Sequence, residues 1–377
     1  MSEHAIPFDR DAAIMTARTL VVRLRAADVR AAYLFGSVAW GDADAASDLD
    51  IGLLLDRPRD DRTVVRVRVA ELVPDAPPGG PRFADLSYQT VAACTDVVAR
   101  GVAGPRLARA LILRDTNGWL ARLQARAVAD FVAPAARAAR WRAHAARARA
   151  HRAAAAAAAG ADDAHLAALH ARLALEEAVG GLIVAADGRL SLTHFLTSGG
   201  AALRAAGLPD ARATFREVLG LAATAAHIAA WRVAYRRGAD VLVAALADPA
   251  LQARLPAPDR AWAAFTIAPE TYAEMAHKVA ALPALGRGDA LQYYLDGTLT
   301  TVIRMNLGKM LQLRAGLGAT IPSVPAFHAA LHTEPALLAA WTAALRLDAL
   351  ASRLPTALAL ADAILARGAT LYEGAAS

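Results

Sequence analysis

One cysteine stands among 377 residues, Cys94. An internal disulfide is excluded, and so is a metal centre built on several thiolates. Lysine is nearly as scarce. Of 41 Lys and Arg residues only Lys278 and Lys309 are lysine, which leaves 39 arginines. With the abundant alanine, glycine and proline, this bias points to a GC-rich genome, so single arginines carry little functional information. Long uncharged apolar runs are missing too. The longest, residues 315–333, contains Pro322, Pro325, His328 and His332, and no membrane span is expected. The opening Met1-Ser2-Glu3-His4 lacks the pattern of a secretory leader, so a cytoplasmic protein is expected. His144, His151, His165 and His170 form no His-x-x-x-His pattern with a nearby carboxylate. Surface or boundary positions are expected for them rather than zinc ligation.

What is present is enough chain for two domains and a sizeable core. Net charge is +6 and uneven. Residues 1–120 hold 15 basic and 16 acidic residues, whereas residues 121–377 hold 26 and 19.

The most informative stretch is Leu34 to Leu55. An apolar run, Val29 to Phe35, ends in Gly36-Ser37, a loop of small residues comes next, and Asp48-Leu49-Asp50 opens a second apolar run. Read as a strand, Ser47 to Leu55 puts Asp48, Asp50, Gly52 and Leu54 on one face and Leu49, Ile51, Leu53 and Leu55 on the other. Two carboxylates backed by an apolar strand are costly to bury without a counter-charge. Their Cα atoms lie about 6.6 Å apart at strand spacing, so both reach one divalent ion or a close pair of ions. Oxygen ligands alone suit Mg²⁺. Gly36 lets backbone N–H groups approach an anion, and the Ser37 hydroxyl adds a donor. Together these are equipment for a nucleoside triphosphate.

Gly-Ser, ten residues, then Asp-x-Asp resembles the nucleotidyltransferase superfamily typified by DNA polymerase beta, and within it the minimal and aminoglycoside-type enzymes. The resemblance covers roughly residues 10–120. It implies Asp48 and Asp50 as metal ligands, Gly36 and Ser37 as nucleotide-binding residues, and a third carboxylate on a later strand. Arg82 to Gln89 reads as that strand, with Phe83, Asp85 and Ser87 on one face. The family pattern assigns Asp85 to the metal and to the acceptor's proton. Relatives often carry arginine where Trp40 stands; here a packed aromatic is expected instead.

Residues 9–27 read as an amphipathic helix, Asp60 to Leu72 as another, and Pro74 to Pro81 as a break. Val91 to Val102 reads as a helix ended by Gly104-Pro105, Ala110 to Leu113 as a short strand, and Asp115 to Gly118 as a turn. From Ala121 onward helices alone are expected, with breaks at Pro134 and Asp187-Gly188 and Asp162 as an N-cap. The expected architecture is α+β, a nucleotidyltransferase domain with a small mixed sheet over 1–120, followed by an all-α helical bundle over 121–377 that binds the acceptor.

Within the helical half, Glu176 and Glu177 flank a buried stripe. Aminoglycoside nucleotidyltransferases take a general base from such a domain, which makes these two glutamates candidates; periodicity does not choose between them. The arginines of 137–152 spread round their helix with no aromatic ladder, so a solvated helix is expected rather than a nucleic-acid stripe. The helix over 289–315 carries Gln292, Tyr293, Asp296, Thr300, Arg304, Asn306, Lys309 and Gln312, and reads equally as the lining of an acceptor pocket or as a solvent face.

The expected function is Mg²⁺-dependent transfer of AMP from ATP, or of another nucleotide from its triphosphate, to a hydroxyl of a small molecule. One alternative is a regulatory nucleotide-binding protein of the same fold with a protein or RNA partner. Another is a protein adenylyltransferase.

Overall fold

The computed structural model describes residues 8–24, 28–58, 64–77, 79–99, 104–221, 224–314 and 321–374. The N-terminal part runs α1 (Arg10–Arg23), β1 (Val29–Phe35), α2 (Gly36–Trp40), β2 (Leu49–Leu55), β3 (Val64–Arg68), α3 (Val69–Leu72), β4 (Phe83–Thr90), α4 (Val91–Ala99), α5 (Gly104–Ala108), β5 (Leu111–Asp115) and α6 (Trp119–Val132). The rest is helical: α7 (Pro134–Gly160), α8 (Ala164–Ala185), α9 (Phe195–Ala205), α10 (Ala211–Val218), α11 (Ala225–Ala247), α12 (Pro249–Arg254), α13 (Ala257–Thr266), α14 (Pro269–Ala284), α15 (Gly288–Gly297), a π-helical stretch Thr298–Ile303, α16 (Arg304–Arg314), α17 (Val324–Leu331), α18 (Pro335–Leu345), α19 (Leu347–Ala351) and α20 (Leu354–Tyr372).

Two compact units result. The first joins Met1–Ala133 to Pro256–Leu285; the second joins Pro134–Leu255 to Gly286–Ser377. A division at residue 120 would fall inside α6, and α13 and α14, read from sequence as part of the helical half, belong to the first unit.

In the first unit the sheet has the order β3-β4-β2-β1-β5. It is mixed: β2 and β4 run parallel, and the other neighbours are antiparallel. The alternation read in β2 holds. Leu49, Ile51, Leu53 and Leu55 pack with Ala13, Ala17, Leu20 and Val21 of α1. On the opposite face Leu54 packs with Tyr33, Cys94 and Val98 under α4, and with Leu120 and Ala127 of α6. Both faces of the sheet are therefore covered, and the carboxylates of β2 occupy the end of a face whose remainder is core.

Residues 64–68 correct an expectation. They form β3, antiparallel to β4, and only Val69–Leu72 is helical; residues 60–63 of the expected helix lie outside the described residues. Val64, Val65 and Val67 are β-branched and favour a strand beside a free sheet edge. Gly104-Pro105 also acts otherwise than expected. It opens α5 instead of closing α4, in keeping with proline's preference for a helix start.

In the second unit α7 and α8 pack along each other, and α20 packs on both. The N-cap of α8 is Asp163 rather than Asp162, its side chain accepting from Leu166 N at 3.0 Å. Asp162 instead takes a left-handed φ of 57° ahead of it. Several arginines of α7 are matched by acids elsewhere in the unit: Arg140 pairs with Asp187, in the turn after α8, at 2.7 Å and Arg152 with Asp362 of α20 at 2.7 Å. By length and composition α20 is apolar enough to cross a membrane. Its Asp362 is held by Arg152, and its Arg367 donates to the Ala206 carbonyl at 2.5 Å.

One histidine lies deeper than expected, whereas His144, His151 and His165 occupy boundary positions. His170 is 4% exposed, stacks beside His151 with ring nitrogens 3.0 Å apart, and is near His328, which is also buried and faces Asp163. Burial first, then the neighbouring His151 and His328, push His170 down to about 4; burial also lowers His151 and His328. A folded value below the free value of about 6.5 means that stability is complete above pH 6.5 and is lost as pH falls toward 4. Melting by circular dichroism is expected to show a loss approaching about 3 kcal/mol over that window. His170→Gln is expected to flatten the slope.

Candidate active site

Register brings the acidic residues together. Phe35 of β1 lies opposite Asp50 of β2, and Asp50 lies opposite Asp85 of the parallel β4. Opposed residues share a face, so Asp48, Asp50 and Asp85 converge on one side of adjacent strands. Gly36, at the β1–α2 junction, is what leaves room for them. Its φ is +73°, and a Cβ there would collide with Asp50 Oδ2. Ser37 behind it is buried. The turn of α2 is fixed from outside: Arg10 of α1 donates from Nε to the Val38 carbonyl at 2.7 Å and from Nη2 to that of Ala39 at 3.0 Å. The loop after α2 closes on itself through Asp44 and Ser47, whose hydroxyl accepts from Asp44 N at 3.0 Å, and delivers Asp48 to the start of β2. Trp40 packs at the margin of the α1 core, as expected.

Two helices late in the chain complete this side of the first unit. α13 and α14 pack on β3. His277 of α14 lies 3.0 Å from the Ala45 carbonyl, holding the helix to the Asp48 loop. Glu274 and Lys278, one turn apart on α14, then face the carboxylates. Arg66 of β3 meets Asp85 through two parallel hydrogen bonds of 2.6 Å each, and its Nη1 reaches Glu274 Oε2 at 3.0 Å. Lys278 Nζ pairs with Glu274 and lies 3.4 Å from Asp48 Oδ2. Phe265 of α13 lies against the same guanidinium, 5.1 Å from ring centre to Cζ. An unbroken ionic chain thus runs Asp85–Arg66–Glu274–Lys278–Asp48.

That chain does not treat the acids alike. Burial pushes Asp48 up, but Lys278 and Arg66 more than offset it and leave its carboxyl below the ordinary range. Burial raises Asp85 as well, and Arg66 only partly counters it. Asp50 is the unbalanced member. Burial, then the charges of Asp48 and Asp85, drive it well above the ordinary carboxylate range. With Asp50 uncompensated, Asp48 and Asp50 present an oxygen-only donor set that fits a hard divalent cation. Among the described residues no group of three or more His, Cys, Asp and Glu side chains is gathered as a ligand set. A cation here would therefore draw its remaining ligands from phosphate and water, the habit of Mg²⁺.

Glu176 and Glu177 lie on α8 of the second unit. Glu176 accepts from Arg172 Nε at 2.8 Å, and Glu177 is held by His144 at 2.7 Å and by Arg147 at 3.0 Å. Sequence reasoning missed Glu274 and Lys278 altogether. A signal existed: a chain that uses arginine almost everywhere keeps lysine at 278, four residues after a glutamate.

The family model described as Polymerase beta, Nucleotidyltransferase matches residues 22–73. The matched stretch runs from the end of α1 through α3 and contains Gly36, Ser37, Asp48, Asp50 and Arg66. The first unit accordingly carries a nucleotidyltransferase domain of the polymerase beta superfamily. No curated protein matches the chain.

Proposed function

We propose that this nucleotidyltransferase domain transfers a nucleoside monophosphate, AMP from ATP in the first instance, to a hydroxyl of a small-molecule acceptor. The observation that carries the reading is the Asp48–Asp50 pair, half-buried beside Gly36-Ser37, with Lys278 on Asp48 and no ion pair on Asp50 among the described residues. Asp48 and Asp50 would hold Mg²⁺, which when bound would neutralise charge on the donor's phosphates. Gly36 and Ser37 would receive those phosphates at the β1–α2 turn.

Glu274 is the glutamate this reading assigns as general base. The acceptor oxygen attacks the α-phosphorus, its proton passes to Glu274, and the bond to the departing pyrophosphate oxygen breaks. Arg66 aims Glu274, and Asp85, with both oxygens on Arg66, holds that guanidinium in place. Asp85 is thus a positioning residue in this reading. Lys278 carries positive charge to the same side. The excess of basic residues over 121–377 favours a neutral or anionic acceptor over a polycation.

The test supplies Mg²⁺, each of the four labelled nucleoside triphosphates and a panel of hydroxyl acceptors. Pyrophosphate release with label on a small molecule is expected. No release from any combination would count against the reading, and label on a polypeptide would reassign the acceptor to protein. Glu274→Gln is expected to lower kcat by about 10²–10⁴-fold, with triphosphate affinity little changed.

A further inference from the structure

Two arginines near the glycine-serine turn are not committed to the acids of the site. The Arg106 guanidinium of α5 stacks 3.8 Å above the Phe35 ring, and that of Arg109 lies 5.2 Å from the centre of the Trp40 ring. Phe35 immediately precedes Gly36-Ser37, and Trp40 is the last residue of the short helix they begin. The two cations therefore bracket the turn. Because Phe35 is opposed to Asp50 across β1 and β2, Arg106 lies on the carboxylate side of the sheet, and its charge is felt at Asp50. It also lies beside Tyr33, whose ring covers Gly52.

Arg66 and Lys278 face Asp85, Glu274 and Asp48. Among the described residues neither Arg106 nor Arg109 pairs with a carboxylate, and Arg106 Nε is buried without a hydrogen-bond partner. A guanidinium with an unused donor retains hydrogen-bonding capacity for a ligand. Stacking on an aromatic ring fixes the guanidinium plane, and a planar fork of N–H donors suits phosphate oxygens. The four acids of the site would repel a triphosphate, and cations beyond Arg66 and Lys278, which those acids already occupy, would offset that repulsion.

We infer that Arg106 and Arg109, seated on Phe35 and Trp40, form a two-armed clamp for the phosphate groups of the donor triphosphate. The inference rests on the nucleotidyltransferase reading given above. It adds that discrimination between a triphosphate and a nucleoside comes from these two side chains.

Calorimetric titration of the full-length protein tests it, with Mg²⁺ and four probes: α,β-methylene-ATP, inorganic tripolyphosphate, AMP and adenosine. Arg106→Gln and Arg109→Gln are each expected to weaken the first two about 10–100-fold, the loss of one charge-assisted phosphate contact. AMP should suffer less and adenosine not at all. Arg30→Gln, at the opposite end of β1, should leave all four unchanged. Arg106→Lys keeps the charge without the planar stack and should recover part of the loss; if Arg106→Gln fails to fold, Arg106→Lys and Arg109→Gln decide. Wild-type affinity for the methylene analogue in folded Arg106 and Arg109 variants would overturn the clamp while leaving the transferase reading intact. An equal loss for adenosine would overturn the phosphate assignment. Failure of the wild type to bind any triphosphate analogue or tripolyphosphate would overturn both.

Discussion

Asp50→Asn is expected to abolish nucleotidyl transfer and, in the free protein, to raise the melting temperature. The first effect comes from charge. Asparagine keeps the shape of the side chain and its acceptor oxygen, but the pair that would hold a cation loses half its negative charge. A loss on the order of 10³-fold in kcat/KM is expected. The second effect comes from burial. In the fold Asp50 is driven well above the ordinary range by burial and by Asp48 and Asp85. At neutral pH the folded chain carries a charge there that the unfolded chain carries freely in water, so the ionised group destabilises the fold. As pH falls, the folded state takes up this proton before the unfolded state does, and the penalty disappears. The variant should therefore be the more stable protein at pH 8, with the difference shrinking as pH is lowered. Added Mg²⁺ with a triphosphate should raise the melting temperature of the wild type and not that of the variant. Thermal melts across pH, run beside a pyrophosphate assay, measure both effects. A variant that melts lower than wild type at pH 8 would show that the charge is already compensated, and the argument for a cation at this pair would fail.

The half of this site that lies on β1, α2 and β2 was legible in the sequence because it is local. A glycine-serine turn and alternating aspartates in an apolar run declare strand, face and chemistry within about twenty residues. Asp85 was legible for a related reason, since a lone acid in a short apolar strand marks its own face. β3 was misread although its pattern is just as plain: Val65 and Val67 alternate with Arg66 and Arg68. The stretch was read as part of a helix over Asp60 to Leu72 despite its valines, and β-branched residues beside an open sheet edge prevailed. The partners from α14 were illegible for another reason. Glu274 and Lys278 meet Arg66 and Asp48 across some 200 residues of chain, and no periodicity records which helix returns to which unit.

The polar helix over 289–315 shows the same limit from the opposite direction. Its residues were open to two readings, a pocket lining or a solvent face. Gln292, Asp296, Thr300 and Asn306 are instead buried within the second unit, at most 2% exposed. The helical phase could not reveal this, because the chain passes through a π-helical stretch, Thr298–Ile303, that rotates α16 relative to α15. Thr300 donates to the Asp296 carbonyl at 3.0 Å within that wide turn. Polar residues on all sides of a helix look solvated until their partners are known; here Gln292 donates to the Gly220 carbonyl, and the partners of Asp296 come from α8, α11 and the turn before α19.

Asp296 is the centre of that buried group, and Asp296→Asn is expected to cost about 3–5 kcal/mol of stability. Its carboxylate receives Arg172 Nη1 at 2.9 Å and Arg346 Nη2 at 2.7 Å, and His227 Nε2 lies 3.2 Å away. Asp296 and Arg172 have no appreciable exposure. Burial alone would raise the Asp296 carboxyl, but Arg172, His227 and Arg346 bring it down to about 2. Its contribution is therefore complete above the free carboxylate value and is lost only as pH falls through about 2, well below the window in which the histidines act. Neutralising it leaves Arg346 buried beside a histidine and Arg172 with Glu176 alone. The cost comes from stranded charge rather than from a missing bond, which gives the prediction a distinguishing form. Arg172→Met combined with Asp296→Leu should be less destabilised than the sum of the two single replacements, because each removes the charge that the other strands. Urea titrations of the two singles and the double measure that coupling. Additive losses, or an Asp296→Asn protein within about 1 kcal/mol of wild type, would mean that water or another group already satisfies the arginines and that this cluster does not hold the helices of the second unit together.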